Sequence, residues 1–445
     1  MGSARLPPRA GALADGSRWS DRALRALALG LGAAVVVRLL LLPAVGYRYD
    51  MDQFVLWTHG LAVAPFGDAY RMDLSFPPVM VYVFGVLAAL EPGFRTATDA
   101  TDTWIRMLMK VPGSLADLGL AVTVAFALRR HPAWALVAGI GIALHPAALW
   151  VSGLWGQYDS IYVLAALVAF VLAASDRPLP AAVALAVSVM TKPEALPFLV
   201  PFAAWYLARQ GFRVSVLALA AAGATTLFLW APFLAAGGPA AYLGNLAHYQ
   251  GEVFTALSLR AWNFWWLIQQ AAGGGFSSDS VAIAGPLSAR AVGFLLAGLG
   301  ELVVFLAVWT RPTTRTLALG LACSTLVAFG FLTTMHERYA YGALVFLAVL
   351  IDDRAVRWTW LAFGVVFTLD IVSAIPTREL GPLLPSDGGV GIAGSLAMLG
   401  VTAACLWQLL AGTRRGDADP IAGEPDRTSG AADAPAAPAA PPATA

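Results

Sequence analysis

The chain consists of apolar stretches long enough to cross a membrane, separated by shorter polar connections. Repeated apolar runs of about 17–25 residues are typical of helices that cross a hydrocarbon core. Only helices and closed barrels satisfy their backbone hydrogen bonds in lipid, and these runs are too long and too uniformly apolar for barrel strands. The pattern predicts an all-α polytopic membrane protein. Helices are expected near 24–43, 104–128, 133–150, 158–174, 179–191, 194–208, 214–234, 288–309, 316–333, 339–351, 355–375 and 388–411.

The composition indicates one membrane domain and no separate soluble domain. Of 445 residues, 59% are hydrophobic and 12% are charged, and the mean hydropathy is +0.70. A soluble domain carries roughly twice that charged fraction. The formal net charge of +1 gives no indication of a nucleic-acid partner. We expect a basic cytoplasmic N-terminal segment (1–23), a transmembrane domain (24–412) and a disordered cytoplasmic tail (413–445) rich in Ala and Pro.

Basic residues near the helix ends predict which connections face the cytoplasm, where Lys and Arg are enriched. Strict alternation from residue 104 onward places the clusters at Arg129–Arg130, Arg177, Arg209/Arg213, Arg311/Arg315, Arg354/Arg357 and Arg414–Arg415 on that side. The outer side then receives a first outer loop (45–76), a second long outer loop (235–287) and the segments 151–160, 192–193 and 334–338. Residues 77–91 are short for a span. They are either re-entrant, or the next helix has an orientation that the charge rule misjudges.

The second outer loop is rich in tryptophan. Trp262, Trp265 and Trp266 lie close together in a stretch with few charges. Such enrichment is typical of an interfacial helix at the level of the lipid headgroups. We expect a helix of this kind beside an entry for a lipid substrate.

Polar motifs accumulate on the predicted outer side. Ionisable residues at membrane level are candidates for function, although each motif has a plainer explanation as a helix cap, a headgroup anchor or a snorkelling side chain. The acids could accept a proton from a hydroxyl, and the cations could hold a phosphate. The candidate catalytic residues are Asp50 and Asp52, and the candidate substrate-binding residues are Gln157, Tyr158, Asp159, Lys192, His336, Glu337 and Arg338.

In their order and spacing these motifs resemble the GT-C class of glycosyltransferases, which use polyprenyl-phosphate sugars. The chain is similar to dolichyl-phosphate-glucose-dependent glucosyltransferases of N-glycan precursor assembly, which carry an acid ahead of a Trp, as Asp50 precedes Trp57 here. Four further motifs of those enzymes have counterparts in this chain. Their Tyr-Pro-Pro corresponds to Phe76-Pro77-Pro78, and their Gln-Tyr-Asn to Gln157-Tyr158-Asp159. The Lys that follows corresponds to Lys192, and their His-Glu-Lys to His336-Glu337-Arg338. Bacterial polyprenyl-phosphate mannosyltransferases of the same class share the WGQ-x-D pattern, so both glucose and mannose stay open.

The resemblance implies a GT-C fold with about 12–13 transmembrane helices and a large first outer loop. It implies transfer of a hexose with inversion, with Asp50 as the general base, although Asp52 is an alternative base or an acceptor ligand. Lys192, Arg338 and His336 would neutralise the leaving phosphate, and neither a metal nor another cofactor is expected. The implied partners are a polyprenyl-phosphate sugar donor, a glycan or lipid-linked glycan acceptor and membrane lipids. High Ala and Arg usage suggests a bacterial plasma membrane with the active site facing outward.

Two other functions fit parts of the pattern. About a dozen helices with the intramembrane acid Asp117 and with His145 would also suit a lipid or sugar transporter, although the chain shows no convincing inverted repeat. Hydrogen bonding between helices explains these two residues equally well. A protein O- or C-mannosyltransferase of the same class would differ from the main hypothesis in its acceptor.

Overall fold

Helices form nearly all of the regular structure of the protein. The computed structural model describes residues 19–249, 251, 255–377, 380–381 and 383–412. Most of the predicted N-terminal segment 1–23 and all of the predicted tail 413–445 therefore lie outside the described residues. The predicted all-α polytopic architecture is confirmed, since helices long and apolar enough to span a membrane recur along the described chain.

The helices follow the predicted apolar stretches closely. They are α1 (Asp21–Leu41), α2 (Arg48–Val63), α3 (Pro78–Leu90), α4 (Thr103–Ala127), α5 (Pro132–Ala143), α6 (Pro146–Ala148), α7 (Asp159–Ala174), α8 (Pro178–Val189), α9 (Leu199–Trp205), α10 (Gly211–Trp230), α11 (Gly238–His248), α12 (Phe264–Ala271), α13 (Ala289–Thr310), α14 (Thr314–Phe331), α15 (Tyr341–Ala348), α16 (Arg354–Ala374) and α17 (Gly388–Gly412).

Fewer helices than predicted are long enough to span. Within the described residues, eight helical stretches meet the length and hydropathy of a span, against the expected 12–13. One of them, Pro193–Phe233, merges two predicted helices into a single irregular stretch of 41 residues. The helices α3, α7 and α8 are apolar but shorter, and α15 has only 8 residues, all buried in protein. The number of 12–13 transmembrane helices therefore stays a prediction.

Most of the first outer loop is helical rather than irregular. The helix α2 and the 3₁₀ turn Phe66–Arg71 occupy much of 45–76. Met51, Phe54, Val55, Thr58 and Leu61 are buried along α2. Their spacing of three and four residues is the pattern of one helical face, which explains why this segment folds as a helix packed on the protein.

The contacts before and after the short helix α3 place both ends of this stretch at one end of the bundle. At its start, the Val79 amide donates to the Met190 carbonyl (2.9 Å). After it, the Ala100 amide donates to Asp52 Oδ1 (2.8 Å) in the second turn of α2. The side chain of Arg106 then bonds the carbonyl of Pro43, just beyond α1. The stretch leaves and returns at the same end of the bundle, as the re-entrant alternative predicts.

Two apolar cores result from this arrangement. The spanning core is formed by α4, α5, α7, α14, α15 and their neighbours. A second core, here called the cap core, consists largely of aromatic and apolar side chains from α2, α3 and the segments that follow them. The rings of Phe54, Phe76, Phe84 and Tyr158 pack against one another within it.

The second outer loop is anchored through its tryptophans, which are buried in protein. Trp265 and Trp266 are 1% and 2% exposed. Their indole N–H groups donate to the carbonyls of Phe331 (2.6 Å) and Ser386 (3.0 Å). The rings therefore pack within the protein, because α12 contacts α14 and α17. A position of this helix at the level of the headgroups stays a prediction.

Short strands complete the second outer loop. The strand β1 (Ser258–Leu259) pairs in parallel with β4 (Met335–His336), and β2 (Ala282–Ala284) pairs antiparallel with β3 (Leu287–Ser288). The pairing of β1 with β4 joins the loop to the segment that carries His336. The sequence gives no indication of strands this short.

A buried polar network joins four helices, α1, α4, α5 and α15, inside the spanning core. Arg38 Nη2 lies 3.0 Å from Asp117 Oδ2, and the Tyr341 hydroxyl donates to Asp117 Oδ1 (2.6 Å). Arg38 Nη1 also donates to the Ala143 carbonyl (2.7 Å). Asp117 is completely buried, so its partners account for an acid that the sequence left as either functional or structural.

This network predicts a clear result from a double-mutant cycle. Asp117→Leu leaves the guanidinium of Arg38 buried and unpaired, and breaking a buried pair costs about 3–5 kcal/mol. We expect a fall of several degrees in the melting temperature of the purified protein in detergent. Arg38→Met combined with Asp117→Leu removes both charges and should restore most of the loss. A double variant as unstable as Asp117→Leu alone would contradict the pairing.

Candidate functional site

A tight turn after α1 fixes where α2 begins. Lys110, from α4, donates to the carbonyls of Ala44 (2.6 Å) and Leu154 (2.7 Å), so it ties the turn to the segment 149–157. Gly46 has φ +69, and a Cβ there would lie 2.6 Å from the Trp155 carbonyl oxygen. Only glycine suits this combination of conformation and close approach.

A π-helix places two side chains over the start of α2. Residues Leu149–Trp155 form this π-helix, which ends at Gly156 with φ +99. Short π-helical segments are frequent at functional sites. The Trp155 Nε1–H and the Gln157 side-chain amide both donate to Asp50 Oδ2, at 3.0 Å and 2.5 Å. The WGQ motif therefore acts as a pair of donors for Asp50.

The two oxygens of Asp50 have different surroundings. Oδ2 is held by Trp155 and Gln157, whereas Oδ1 accepts no hydrogen bond from any residue the structure describes. Burial raises the pKa of the Asp50 carboxyl, and the positive charge of Arg338 and the bond from Trp155 oppose that rise. A carboxylate with a raised pKa and one open oxygen is suited to accept a proton.

Asp159 bridges two buried cations next to Asp50. Lys192 Nζ lies 3.1 Å from Asp159 Oδ1, and Arg338 Nε lies 3.6 Å from Asp159 Oδ2. Lys192 also lies 3.8 Å from Glu194 Oε1. Asp159 is 0% exposed, Lys192 2% and Arg338 8%. Three predicted residues from distant parts of the chain thus form one ion triad.

His336 and Glu337 flank the triad. Glu337 Oε1 lies 3.7 Å from Arg338 Nη1, and Glu337 Oε2 lies 3.9 Å from His336 Nδ1. Burial raises the pKa of Glu337 to about 7, although the guanidinium groups of Arg338 and Arg260 oppose the rise. Burial, reinforced by the charges of Arg338 and Lys192, lowers the pKa of His336 well below its usual value. His336 is therefore neutral at pH 7.

Several buried polar atoms in this cluster have unused hydrogen-bonding capacity. A buried polar atom without a partner costs about 1–3 kcal/mol, so a group of them is typical of a site that receives a ligand. Among the described residues, the buried atoms without a hydrogen-bond partner include Gln157 Oε1, Asp159 Oδ2, Glu194 Oε2, Glu337 Oε1, Arg338 Nε and Arg338 Nη1.

Two of the predicted site residues lie outside the cluster. Asp52 is bonded to the Ala100 amide and to Arg48 Nε (3.2 Å). Tyr158 is buried in the cap core, where its hydroxyl donates to the Met109 carbonyl (2.9 Å). Asp52 holds the return of the re-entrant stretch, and Tyr158 packs beneath α2. The structure thus gives both residues structural contacts.

Other residues of the cluster are not among the predicted catalytic or substrate-binding residues. Trp155 bonds Asp50 and also lies under the Arg338 guanidinium, 4.8 Å from its ring centroid. Tyr339 lies 5.2 Å from the same guanidinium, and Glu194 contacts Lys192. Trp155 belongs to the WGQ-x-D pattern itself, and Glu194 and Tyr339 lie within two residues of a predicted site residue, so the same motifs would have found all three. Arg260 belongs to no motif, and nothing in the sequence indicates it.

The cluster has the donor set of an anion or sugar site rather than of a metal site. In the described part of the chain, no group of three or more His, Cys, Asp or Glu side chains is arranged to hold a metal ion. The carboxylates Asp159 and Glu337 are instead engaged with the cations Lys192 and Arg338.

The raised pKa of Glu337 predicts how stability changes with pH. The folded protein holds this proton up to about pH 7, whereas the unfolded chain loses it near 4.5. The folded state therefore binds more protons between these values, and stability falls as pH rises through this window. Glu337→Gln should remove that part of the fall. Between pH 5 and pH 8, the melting temperature of the variant should therefore rise relative to that of the wild type by at least about 2 °C. The same dependence of melting temperature on pH in the two proteins would contradict this prediction.

Comparison with known proteins adds no family assignment. No protein-family model matches the chain, and no curated protein matches its sequence. The chemistry of the cluster is therefore the basis for a function: a carboxylate with one fixed and one open oxygen, beside two buried cations that share Asp159.

Proposed function

We propose that this protein is a GT-C-type glycosyltransferase that transfers a hexose from a polyprenyl-phosphate donor to an acceptor hydroxyl with inversion. Glucose and mannose are the candidate sugars, and a lipid-linked glycan is the proposed acceptor. The arrangement of Asp50 carries the proposal: Trp155 and Gln157 fix Oδ2, and Oδ1 is left for a substrate hydroxyl.

The proposed reaction is a single displacement. The acceptor hydroxyl gives its proton to Asp50 Oδ1 while its oxygen forms a bond to the anomeric carbon. The bond from that carbon to the phosphate oxygen breaks, and its electron pair leaves with the polyprenyl phosphate. A positioned base of raised pKa contributes typically 10²–10⁴-fold to such a proton transfer.

The cations Lys192 and Arg338 support a phosphate leaving group. Preorganised positive charge stabilises the charge that develops on the leaving oxygen, and an arginine fork matches phosphate geometry. Protonation of Glu337, whose pKa burial raises to about 7, lessens the negative charge near the donor. Neutral His336 can donate or accept a hydrogen bond but supplies no charge. The proposal needs no metal and no other cofactor.

The membrane setting fits a lipid donor. The chain is a multi-pass membrane protein, and the cluster lies where α1 ends, close to α4 and the re-entrant stretch. Basic clusters at the opposite helix ends favour a cytoplasmic location for those ends. We propose that the site faces outward from a bacterial plasma membrane.

The described structure offers less support for transport. Asp117 is paired with Arg38, and Glu301 accepts from the Ser324 hydroxyl at 2.7 Å. Both acids therefore have structural partners within the spanning core. A protein O- or C-mannosyltransferase would use the same donor chemistry and would differ in the product that mass spectrometry detects.

The roles of Asp50 and Asp52 can be separated with matched substitutions. Asp50→Asn removes the base and should lower hexose transfer from a polyprenyl-phosphate hexose by about 10²–10⁴-fold. Asp52→Asn weakens a partly exposed pair with Arg48 and should change the rate by no more than about threefold. Transfer by purified protein is measured with a radiolabelled donor. Full activity of Asp50→Asn would show that another residue is the base.

The pH profile of transfer provides a second check. Because the base must be deprotonated, the rate should rise with pH through the pKa of Asp50. Burial raises that pKa, so the rising limb should lie above the range expected for an exposed aspartate of pKa 3.8. The profile of kcat between pH 4 and pH 9 is measured with stability monitored at each pH. A flat profile down to pH 4 would be inconsistent with Asp50 as the base.

A further inference from the structure

Arg260 has an unusual backbone conformation beside the cluster. Its φ is +66, in the left-handed region that residues with a side chain adopt at a cost. A backbone bridge joins Arg260 to His336, directly after the pairing of β1 with β4. A non-glycine residue held in this region next to a polar site suggests that its side chain is needed there.

The neighbours of Arg260 hold this conformation firmly. Ser258 and Ala261 are completely buried, and the Ser258 hydroxyl donates to the Ala261 carbonyl (2.9 Å). The Trp262 amide donates to Asp370 Oδ2 (3.2 Å). Arg260 itself is exposed. It is therefore an accessible cation on a rigid segment between buried residues.

The charge of Arg260 acts on the cluster and is not neutralised by a described carboxylate. Among the residues that the structure describes, its side chain makes a single hydrogen bond, from Nη1 to the Ala374 carbonyl (3.1 Å). This bond leaves Nε and Nη2 for another partner. Burial raises the pKa of both Glu337 and Tyr47, and the guanidinium of Arg260 is close enough to oppose that rise in each.

Unlike Arg260, the two inner cations Lys192 and Arg338 already face carboxylates. Lys192 faces Asp159 and Glu194, and Arg338 faces Asp159 and Glu337. An incoming phosphate must share these two cations with carboxylates that already contact them. An accessible guanidinium at the edge of the cluster can contact the phosphate without such competition.

We propose that Arg260 binds the phosphate of the lipid donor at the mouth of the cluster, and that Lys192 and Arg338 act on its inner side. This inference rests on the proposed function, since it assigns a phosphate-binding residue to the same site. Arg260 would hold the phosphate both in the donor and in the departing polyprenyl phosphate. No additional chemical step is involved.

The first experiment measures binding rather than transfer. Farnesyl phosphate and farnesol, which lacks the phosphate, are titrated calorimetrically into the full-length protein in detergent. In the wild type, farnesyl phosphate should bind at least about tenfold more tightly than farnesol. Arg260→Gly, which suits φ +66, should reduce this preference to about twofold, and Arg260→Lys should be intermediate.

A matched control removes another charged residue of the same backbone type. Asp176 has φ +52 and lies after α7, at the opposite end of that helix from Asp159. Asp176→Gly should keep the wild-type preference for farnesyl phosphate. The inference fails if Arg260→Gly retains the full preference, or if Asp176→Gly loses it equally.

The two proposals can fail separately. If the wild type transfers hexose and Arg260→Gly has an unchanged KM for the donor, the Arg260 assignment is wrong and the glycosyltransferase proposal stands. If the wild type prefers farnesyl phosphate through Arg260 but transfers no hexose from any polyprenyl-phosphate donor, the binding site stands and the proposed reaction is wrong. If the wild type binds farnesyl phosphate no better than farnesol, the Arg260 inference is overturned. Inorganic phosphate that binds as tightly as farnesyl phosphate would also overturn a site for a lipid donor.

Discussion

The position of the site depends on the buried carboxylate of Asp159. It lies at the first residue of α7 and faces Lys192, which follows α8, and Arg338, which precedes α15. Each cation would be costly to bury alone, and the shared carboxylate makes their burial tolerable. Because the three residues are far apart in the chain, this triad also brings the ends of their helices together. The open carboxylate of Asp50 then completes the cluster.

Turns of unusual geometry, rather than flexible loops, present the side chains of the cluster. The π-helix before Gly156 aims Trp155 and Gln157 at Asp50, and the turn at Gly46 fits against the Trp155 carbonyl. Lys110 stabilises both turns through backbone carbonyls. Interactions that hold a catalytic group before substrate arrives are effective because no reorganisation is needed during the reaction.

Hydrophobic periodicity predicted the helices well, since lipid and core impose the same apolar pattern on each. It could not distinguish burial in protein from exposure to lipid, which is why the tryptophans of α12 were expected at the lipid headgroups and are found buried against α14 and α17. The order of the motifs indicated that Asp50, Asp159, Lys192 and Arg338 lie near one another, and they are neighbours in the structure. Tertiary contacts decided the rest: Asp52 bonds a backbone amide, and Arg260 reaches the cluster through a strand pair too short to predict.

The two apolar cores have a consequence for how the site is assembled. Asp50 belongs to α2, whose buried face forms part of the cap core, whereas Asp159, Lys192 and Arg338 adjoin the spanning core. Neither half contains both the carboxylate with the open oxygen and the cations. The site therefore exists only once the cap has docked on the bundle, so complete tertiary folding is a precondition for a competent site.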